Sequence, residues 1–400
     1  MKTPRVRGKK ILVAFDKFKD CMTSEQALQI ASDIIENECS NCEIVGLPLT
    51  DGGEGFVQAL MRTAGGDIVS VPALSATERS IDAHIGLVPI EQLPASVRPM
   101  LQCESRTMLG VVEMAQASGL EMLSSEERNV WRTSTEGCGQ MLLAAAELGA
   151  DCLLMGIGGS ATHDLGLGAL RALGLELLDD AGLPLRAIPF YWSRLAQMEA
   201  SNLRSMPPLQ IACDVGNPLL GAQGAAFSFA QQKGANPADL PRLEALTERV
   251  SSMLCQTFNK PLGIRDEPRM GAAGGMGFGM TIALDARIIS GGALVSSWLG
   301  LEPAIANADL ILTGEGRFDA TSMHGKGPVH VLDFASRHEK EVWLFAGALD
   351  ESAVRSARSQ NPLLKTFPIT PENTPPHLAL LQGPEALAKA LREALRSSTL

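Results

Sequence analysis

Short apolar runs rich in β-branched residues alternate along the chain with segments whose apolar residues recur at helical spacing, which predicts α/β architecture with a mainly parallel sheet. ILVAF at 11–15 reads as a buried strand. Thr23 or Ser24 then caps a helix that carries Ala27, Ile30, Ala31, Ile34 and Ile35 on one face, with Glu25 in its first turn. Further strands are expected at EIVGLPL (43–49), CLLM (152–155), LQIAC (209–213), DLILT (309–313) and VWLFA (342–346). Helices are expected over about 108–118, 134–148 and 238–257, from about Ser160, and over 385–396, where an amphipathic segment should pack back on the first domain.

A chain of 400 residues is longer than one core usually serves, so two domains are expected. The stretch 72–100 holds four prolines, and Gly291 and Gly292 interrupt 285–300, marking where the chain leaves one domain and returns. This assigns 1–75 and 290–400 to one discontinuous α/β domain and 76–289 to an inserted one.

Composition narrows the class. Aromatics make up 4% with a single tyrosine, and the net charge is −11, so neither stacking platforms nor a basic face for nucleic acid is expected. Eight irregularly spaced cysteines are too few for a disulfide scaffold and fit a reducing compartment. Cys39 and Cys42 form a CxxC, but no second pair completes a zinc site. The apolar run after Lys2, Arg5, Arg7, Lys9 and Lys10 is too short for a signal peptide, and no stretch of about 18 apolar residues would span a membrane. A cytoplasmic protein is expected, with a homodimer as one admissible assembly.

The candidate chemistry lies in glycine-rich loops after strands. Phosphoryl transfer needs amides and cations around phosphates, acids for Mg²⁺ and a group to receive a proton. MGIGGSATHD (155–164) offers Gly156, Gly158, Gly159, Ser160, Ala161 and Thr162 at an expected helix start, where free N–H groups favour an anion. The same residues fit a loosened dinucleotide fingerprint with Glu176 about 20 residues on, so an NAD-dependent oxidoreductase is the enzymatic alternative. No Walker A or protein-kinase signature is present.

LTGEGRFDATSMHGKGP (312–328) places Glu315, Arg317, Asp319, His324 and Lys326 among glycines before a helix. Arg317 suits a carboxylate or phosphate in two-pronged geometry, Lys326 a phosphate as a point charge, and His324 an acid–base or purely structural role. In PLTDGGEG (48–55), Asp51 and Glu54 stand at a strand end, suited to Mg²⁺, to proton transfer or to capping the following helix. Asp16, Lys17 and Lys19 follow the first strand in the same way, and Asp214, Gly216 and Asn217 the strand ending at Cys213. The glycine run GAAGGMGFG (271–279), with Gly274 and Gly275, fits phosphate contact or close packing.

In this order the loops resemble those of the bacterial glycerate kinase family, over about residues 11–350. The segments that carry the resemblance are PLTDGGEGF (48–56), GIGGSATHD (156–164), DVGNPLLG (214–221), GAAGGMGFG (271–279), and TGEGRFD with HGKGP (313–319 and 324–328). The chain departs from the family pattern in DKFKDCMTS (16–24), in TSTEGCGQ (133–140), at His163 where Asn is usual, and at Gly216 where an acid is usual. The resemblance implies two α/β domains facing a cleft, one flavodoxin-like with a parallel sheet and inserted into a second, mixed α/β domain. It further implies ATP with Mg²⁺ as donor and D-glycerate as acceptor, giving 2-phosphoglycerate rather than the 3-phosphate.

The roles assigned on this basis are catalytic for Asp51, Lys19, Asp214, Arg317 and Lys326. Gly158, Gly159, Ser160, Ala161, Thr162, Gly274 and Gly275 would hold the nucleotide. Asp16, Lys19, Glu54, Arg317, Asp319 and His324 would hold glycerate, and Asp51, Asp214 and Glu315 the Mg²⁺. A non-catalytic sugar-acid or nucleotide sensor is the remaining alternative, resting on the departures near 17, 163 and 216.

Overall fold

A computed structural model describes residues 8–39, 41–50, 52–103, 106–320, 322, 327–371 and 374–397. In chain order its strands are β1 (Lys10–Phe15), β2 (Glu43–Gly46), β3 (Asp67–Leu74), β4 (Ser80–Pro89), β5 (Met108–Glu113), β6 (Cys152–Gly156) and β7 (Glu176–Leu178). There follow β8 (Gln197–Glu199), β9 (Leu209–Ala212), β10 (Arg287–Ile289), β11 (Leu310–Phe318), β12 (Val342–Leu349) and β13 (Leu364–Pro368). The chain forms two compact units, one of residues 1–50 with 295–400, the other of residues 51–294.

The discontinuous unit is built on a five-stranded sheet in the order β13-β12-β11-β1-β2, parallel throughout. Its central strands are buried on both faces, which is why β1 reads as an unbroken apolar run rather than an alternation. Thr23, one of the two caps expected from the sequence, caps the helix Ser24–Glu38 in a reciprocal box with Gln26. The closing helix Gly383–Ser397 buries Leu387, Leu391, Ala394 and Leu395 in the same core as Ile34 and Ile35. Arg396 fastens it to Glu38 at 2.6 Å.

The inserted unit holds a six-stranded sheet, β10-β9-β6-β5-β4-β3, in which β10, β9, β6 and β5 run parallel and β4 pairs antiparallel with both β5 and β3. The fully parallel sheet thus belongs to the discontinuous unit and the mixed sheet to the inserted one, the reverse of the distribution expected. The proline-bearing stretch after residue 72 is a β3/β4 hairpin whose pairing with β5 ties it to the inserted unit, so the chain leaves the first unit near residue 50. Pro72 lies on edge strand β3, where a missing N–H is tolerated.

The helix expected over 108–118 is strand β5 followed by one helical turn, Ala115–Ser118. Between two neighbours on the sheet, β5 is buried along nearly its whole length, and a short continuous apolar run does not distinguish such a strand from a buried helix. The helices Glu136–Glu147 and Leu240–Thr257 stand where helical spacing placed them. Within the described residues no helix is long and apolar enough to cross a membrane.

Candidate active site

In the inserted unit the carboxyl ends of β5, β6 and β9 lie side by side, with Glu113 opposite Gly156 and Gly156 opposite Ala212. This is the edge at which open α/β sheets bind ligands. The segment 52–57 lies against it, since Gly158 N–H donates to the Gly52 carbonyl at 3.0 Å. Glu113 holds the same segment by accepting from Gly55 N–H at 3.3 Å and Val57 N–H at 3.2 Å. Burial pushes its carboxyl up to about 7, against the pull of those N–H groups. Sequence reasoning passed over Glu113; its signal was an acid closing an otherwise apolar run, MLGVVE.

Two of the sequence motifs therefore meet within this unit, through GGEG (52–55) and GIGGSAT (156–162). Gly159 takes φ of +68°, and a Cβ there would overlap the Glu54 carboxylate. The left-handed backbone favours glycine, and any side chain there would have to displace the Glu54 carboxylate. The helix expected from Ser160 is absent, because the segment is extended and stitched to a neighbouring turn. Leu120 N–H donates to the Gly159 carbonyl at 2.7 Å, and Ala161 N–H to the Ser118 carbonyl at 2.8 Å. Helix begins only at Leu167 and ends at Ala172, so the dinucleotide fingerprint lacks the helix start that gives it meaning.

Beneath this loop lies a buried polar cluster that motif reading did not find. Lys233, 2% exposed, donates to Ser160 Oγ at 2.9 Å and to the Thr162 carbonyl at 2.7 Å. Its sequence neighbourhood, QQKGAN, carries no signal that would single it out. His163 Nε2 pairs with Thr247 Oγ1 at 2.9 Å, and burial together with the Lys233 charge holds its imidazole down at about 3, hence neutral. Asp164 accepts from Thr135 N–H at 2.8 Å, Thr135 Oγ1 at 2.9 Å and the N–H groups of Gly166 and Gly168 at 3.2 Å. Its carboxyl is nonetheless pushed up by burial to about 6.

Gly274 and Gly275 pack on the continuation of the loop. A Cβ on Gly274 would strike the Thr162 carbonyl, and one on Gly275 the Leu165 side chain; Leu165 N–H donates to the Gly274 carbonyl at 3.1 Å. Asp214, half-buried after β9, accepts from Ser290 Oγ at 2.7 Å and Gly292 N–H at 2.6 Å.

In the discontinuous unit a second group gathers at the carboxyl ends of β1 and β11, which pair with Phe15 opposite Gly314. Asp16 is 4% exposed; its N–H donates to the Gly314 carbonyl at 2.9 Å, and its Oδ1 accepts from Lys17 N–H at 2.7 Å. β11 runs on through GEGRF to Phe318, beyond the end expected at Thr313, so Glu315 is a buried strand residue and not part of a loop. Gly316 brings β11 close to the backbone of Lys19, a Cβ there standing 3.0 Å from its N. Arg317 is 73% exposed along its side chain and pairs with Asp319 through Nε at 3.2 Å.

Ser322 Oγ accepts from the Asp319 N–H at 3.2 Å, and the helix Gly327–Arg337 begins beside Asp16. Asp16, Lys19, Glu315, Arg317 and Asp319 are thus brought to one sheet edge, while Asp51, His324 and Lys326 lie outside the described residues. Among the described residues no three His, Cys, Asp or Glu side chains gather as a metal cluster.

The glycerate kinase family model matches residues 11–399. A glycerate kinase of Bacillus subtilis (strain 168) is 33% identical over 396 residues, covering 98% of each chain. A glycerate 2-kinase of Escherichia coli (strain K12) is 32% identical over 348 residues, covering 86% of each. The crystal structure of a provisionally named glycerate kinase 2 from Salmonella typhimurium LT2 is similar at a TM-score of 0.71 and 30% identity, covering 98% of each chain. An oxidoreductase reading gives way to a phosphotransferase with an alcohol group as acceptor, and the chain belongs to the glycerate kinase family.

Proposed function

We propose that the chain transfers the γ-phosphoryl group of ATP to the 2-hydroxyl of D-glycerate. The observation that carries this reading is the family match along nearly the whole chain, together with the name of the Escherichia coli relative, glycerate 2-kinase. In the inserted unit, Gly158 to Thr162 with Gly274 and Gly275 would face the nucleotide. The reading is supported by the pinning of this loop at the sheet edge where α/β folds bind ligands. In the discontinuous unit, Asp16, Lys19, Arg317 and Asp319 would hold the acceptor, with His324 and Lys326 from the same segment.

Arg317 is suited to the glycerate carboxylate, because its side chain is exposed and its ion pair with Asp319 is made through Nε, one of the several N–H donors a guanidinium carries. Magnesium held with a nucleotide generally uses one or two carboxylates plus phosphate oxygens, so a dedicated cluster is not needed: Asp214 or Asp51 of the inserted unit, or Glu315 of the discontinuous unit, would supply a carboxylate. When bound, the ion would neutralise charge on the phosphates. Asp214 is kept oriented for such a task by Ser290 and Gly292. A cytoplasmic setting belongs to the same proposal, supported by eight cysteines that all remain free thiols.

Product identification tests the reading. Phosphorus NMR of the product from D-glycerate and Mg-ATP is expected to show 2-phosphoglycerate; the 3-phosphate alone would overturn the assignment of the hydroxyl.

A further inference from the structure

We propose that Lys233 is a positioning residue for phosphoryl transfer, a buried clamp that fixes the loop Gly158–Thr162 in its non-helical form. The assignment rests on the nucleotide reading of that loop.

The loop is held from two sides in alternation. Gly159 and Ala161 bond through their backbones to Leu120 and Ser118. Ser160 and Thr162, the residues between and after them, bond to the Lys233 ammonium at 2.9 and 2.7 Å. Lys233 is itself fixed. Its N–H donates to the Ala230 carbonyl at 3.1 Å, and Gly234 beside it, with φ of +86°, leaves no room for a side chain against the Arg128 carbonyl.

A buried cation bonded to neutral acceptors is an expensive way to close a loop, since desolvation of the charge is only partly offset. Burial lowers the lysine to about 7, with Asp164 acting in the opposite direction and neutral His163 beside it. What the arrangement supplies is a two-point grip, charge-assisted when the lysine is protonated, on alternate residues of a segment that must present itself to phosphate without rearranging. Preorganisation of that kind is what such loops need.

The test compares Lys233→Met, Ser160→Ala and the double variant in the full chain, by steady-state kinetics for each substrate, calorimetric ADP binding and thermal melts. Lys233→Met is expected to lower kcat/KM for ATP and to weaken ADP by about tenfold or more, while the glycerate KM stays within about twofold. Ser160→Ala is expected to act in the same direction, and to add less than about twofold once Lys233 is gone, because the two residues form one unit. Equal losses for both substrates, unaltered ATP kinetics in Lys233→Met, or full additivity of the two changes would overturn the proposal. Should Lys233→Met fail to fold, Ser160→Ala decides, and wild-type ATP parameters in that variant would overturn it too. Absence of glycerate-dependent ADP release from the unaltered chain would remove the nucleotide reading itself, and the assignment with it.

Discussion

Val57 donates its backbone N–H to the Glu113 carboxylate at 3.2 Å, which joins the first turn of the helix Phe56–Ala64 to the end of β5. Replacing Glu113 by Ala leaves this N–H and that of Gly55 without their acceptor, at a cost of about 1–3 kcal/mol for a buried donor. Glu113→Gln keeps an acceptor oxygen and removes the titration. The folded carboxyl sits at about 7, above the ordinary 4.5, so the fold binds the proton more tightly than the unfolded chain between those values. The contribution of Glu113 to stability therefore falls as pH rises from about 4.5 to about 7 and is level above it. Melts from pH 5 to 8 are expected to show the wild type losing ground to Glu113→Gln with rising pH; parallel curves would contradict this.

His163 titrates in the opposite sense. Held at about 3 in the fold against an ordinary 6.5, it opposes protonation that the unfolded chain accepts, so stability is lost as pH falls below about 6.5. The penalty approaches about 1.4 kcal/mol per pH unit. Comparison with His163→Asn isolates it from Glu113 and Asp164, which act in the other direction. The melting-temperature difference between Asn variant and wild type is expected to grow in the variant's favour from pH 7 to 5, and constancy would show that His163 is not a buried neutral base.

Crowding Gly159 should damage nucleotide use more than folding. An alanine there costs about 1–2 kcal/mol from the left-handed backbone, and it displaces the Glu54 carboxylate. Gly159→Ala is expected to reduce kcat/KM for ATP by about tenfold or more while a cooperative melt survives. Wild-type kinetics in a destabilised variant would make the loop a packing turn alone.

Much of this organisation was legible before the structure. Glycines at 52, 53, 158 and 159 marked two loops at strand ends, and Thr23 and Ser24 with Glu25 marked a helix start, because backbone conformation and local bonding are written in adjacent residues. What was not legible depends on partners distant in the chain. Met108–Glu113 is a strand because β4 and β6 flank it, and Ser160 is extended because residues 118–120 bind its neighbours. Lys233 and Glu113 entered the candidate site only through contacts separated by 73 and 56 positions.

Arg317→Ala separates structure from function on the other sheet edge. An exposed pair such as Arg317 with Asp319 contributes only about 0–1 kcal/mol, so the melting temperature should hardly move. If Arg317 holds the glycerate carboxylate, the glycerate KM is expected to rise by about tenfold or more with little change in the ATP KM. Lowered kcat at constant KM would move the residue to the transferring group. Unchanged kinetics would remove it from the site.

The central claim, ATP-dependent phosphorylation of glycerate, is tested most directly by ADP release from purified chain supplied with Mg-ATP, measured with and without D-glycerate. Release that requires D-glycerate, saturates with it and yields one phosphorylated acceptor per ADP is the expected result. Binding of ATP or glycerate without turnover, or ADP release indifferent to glycerate, would contradict it.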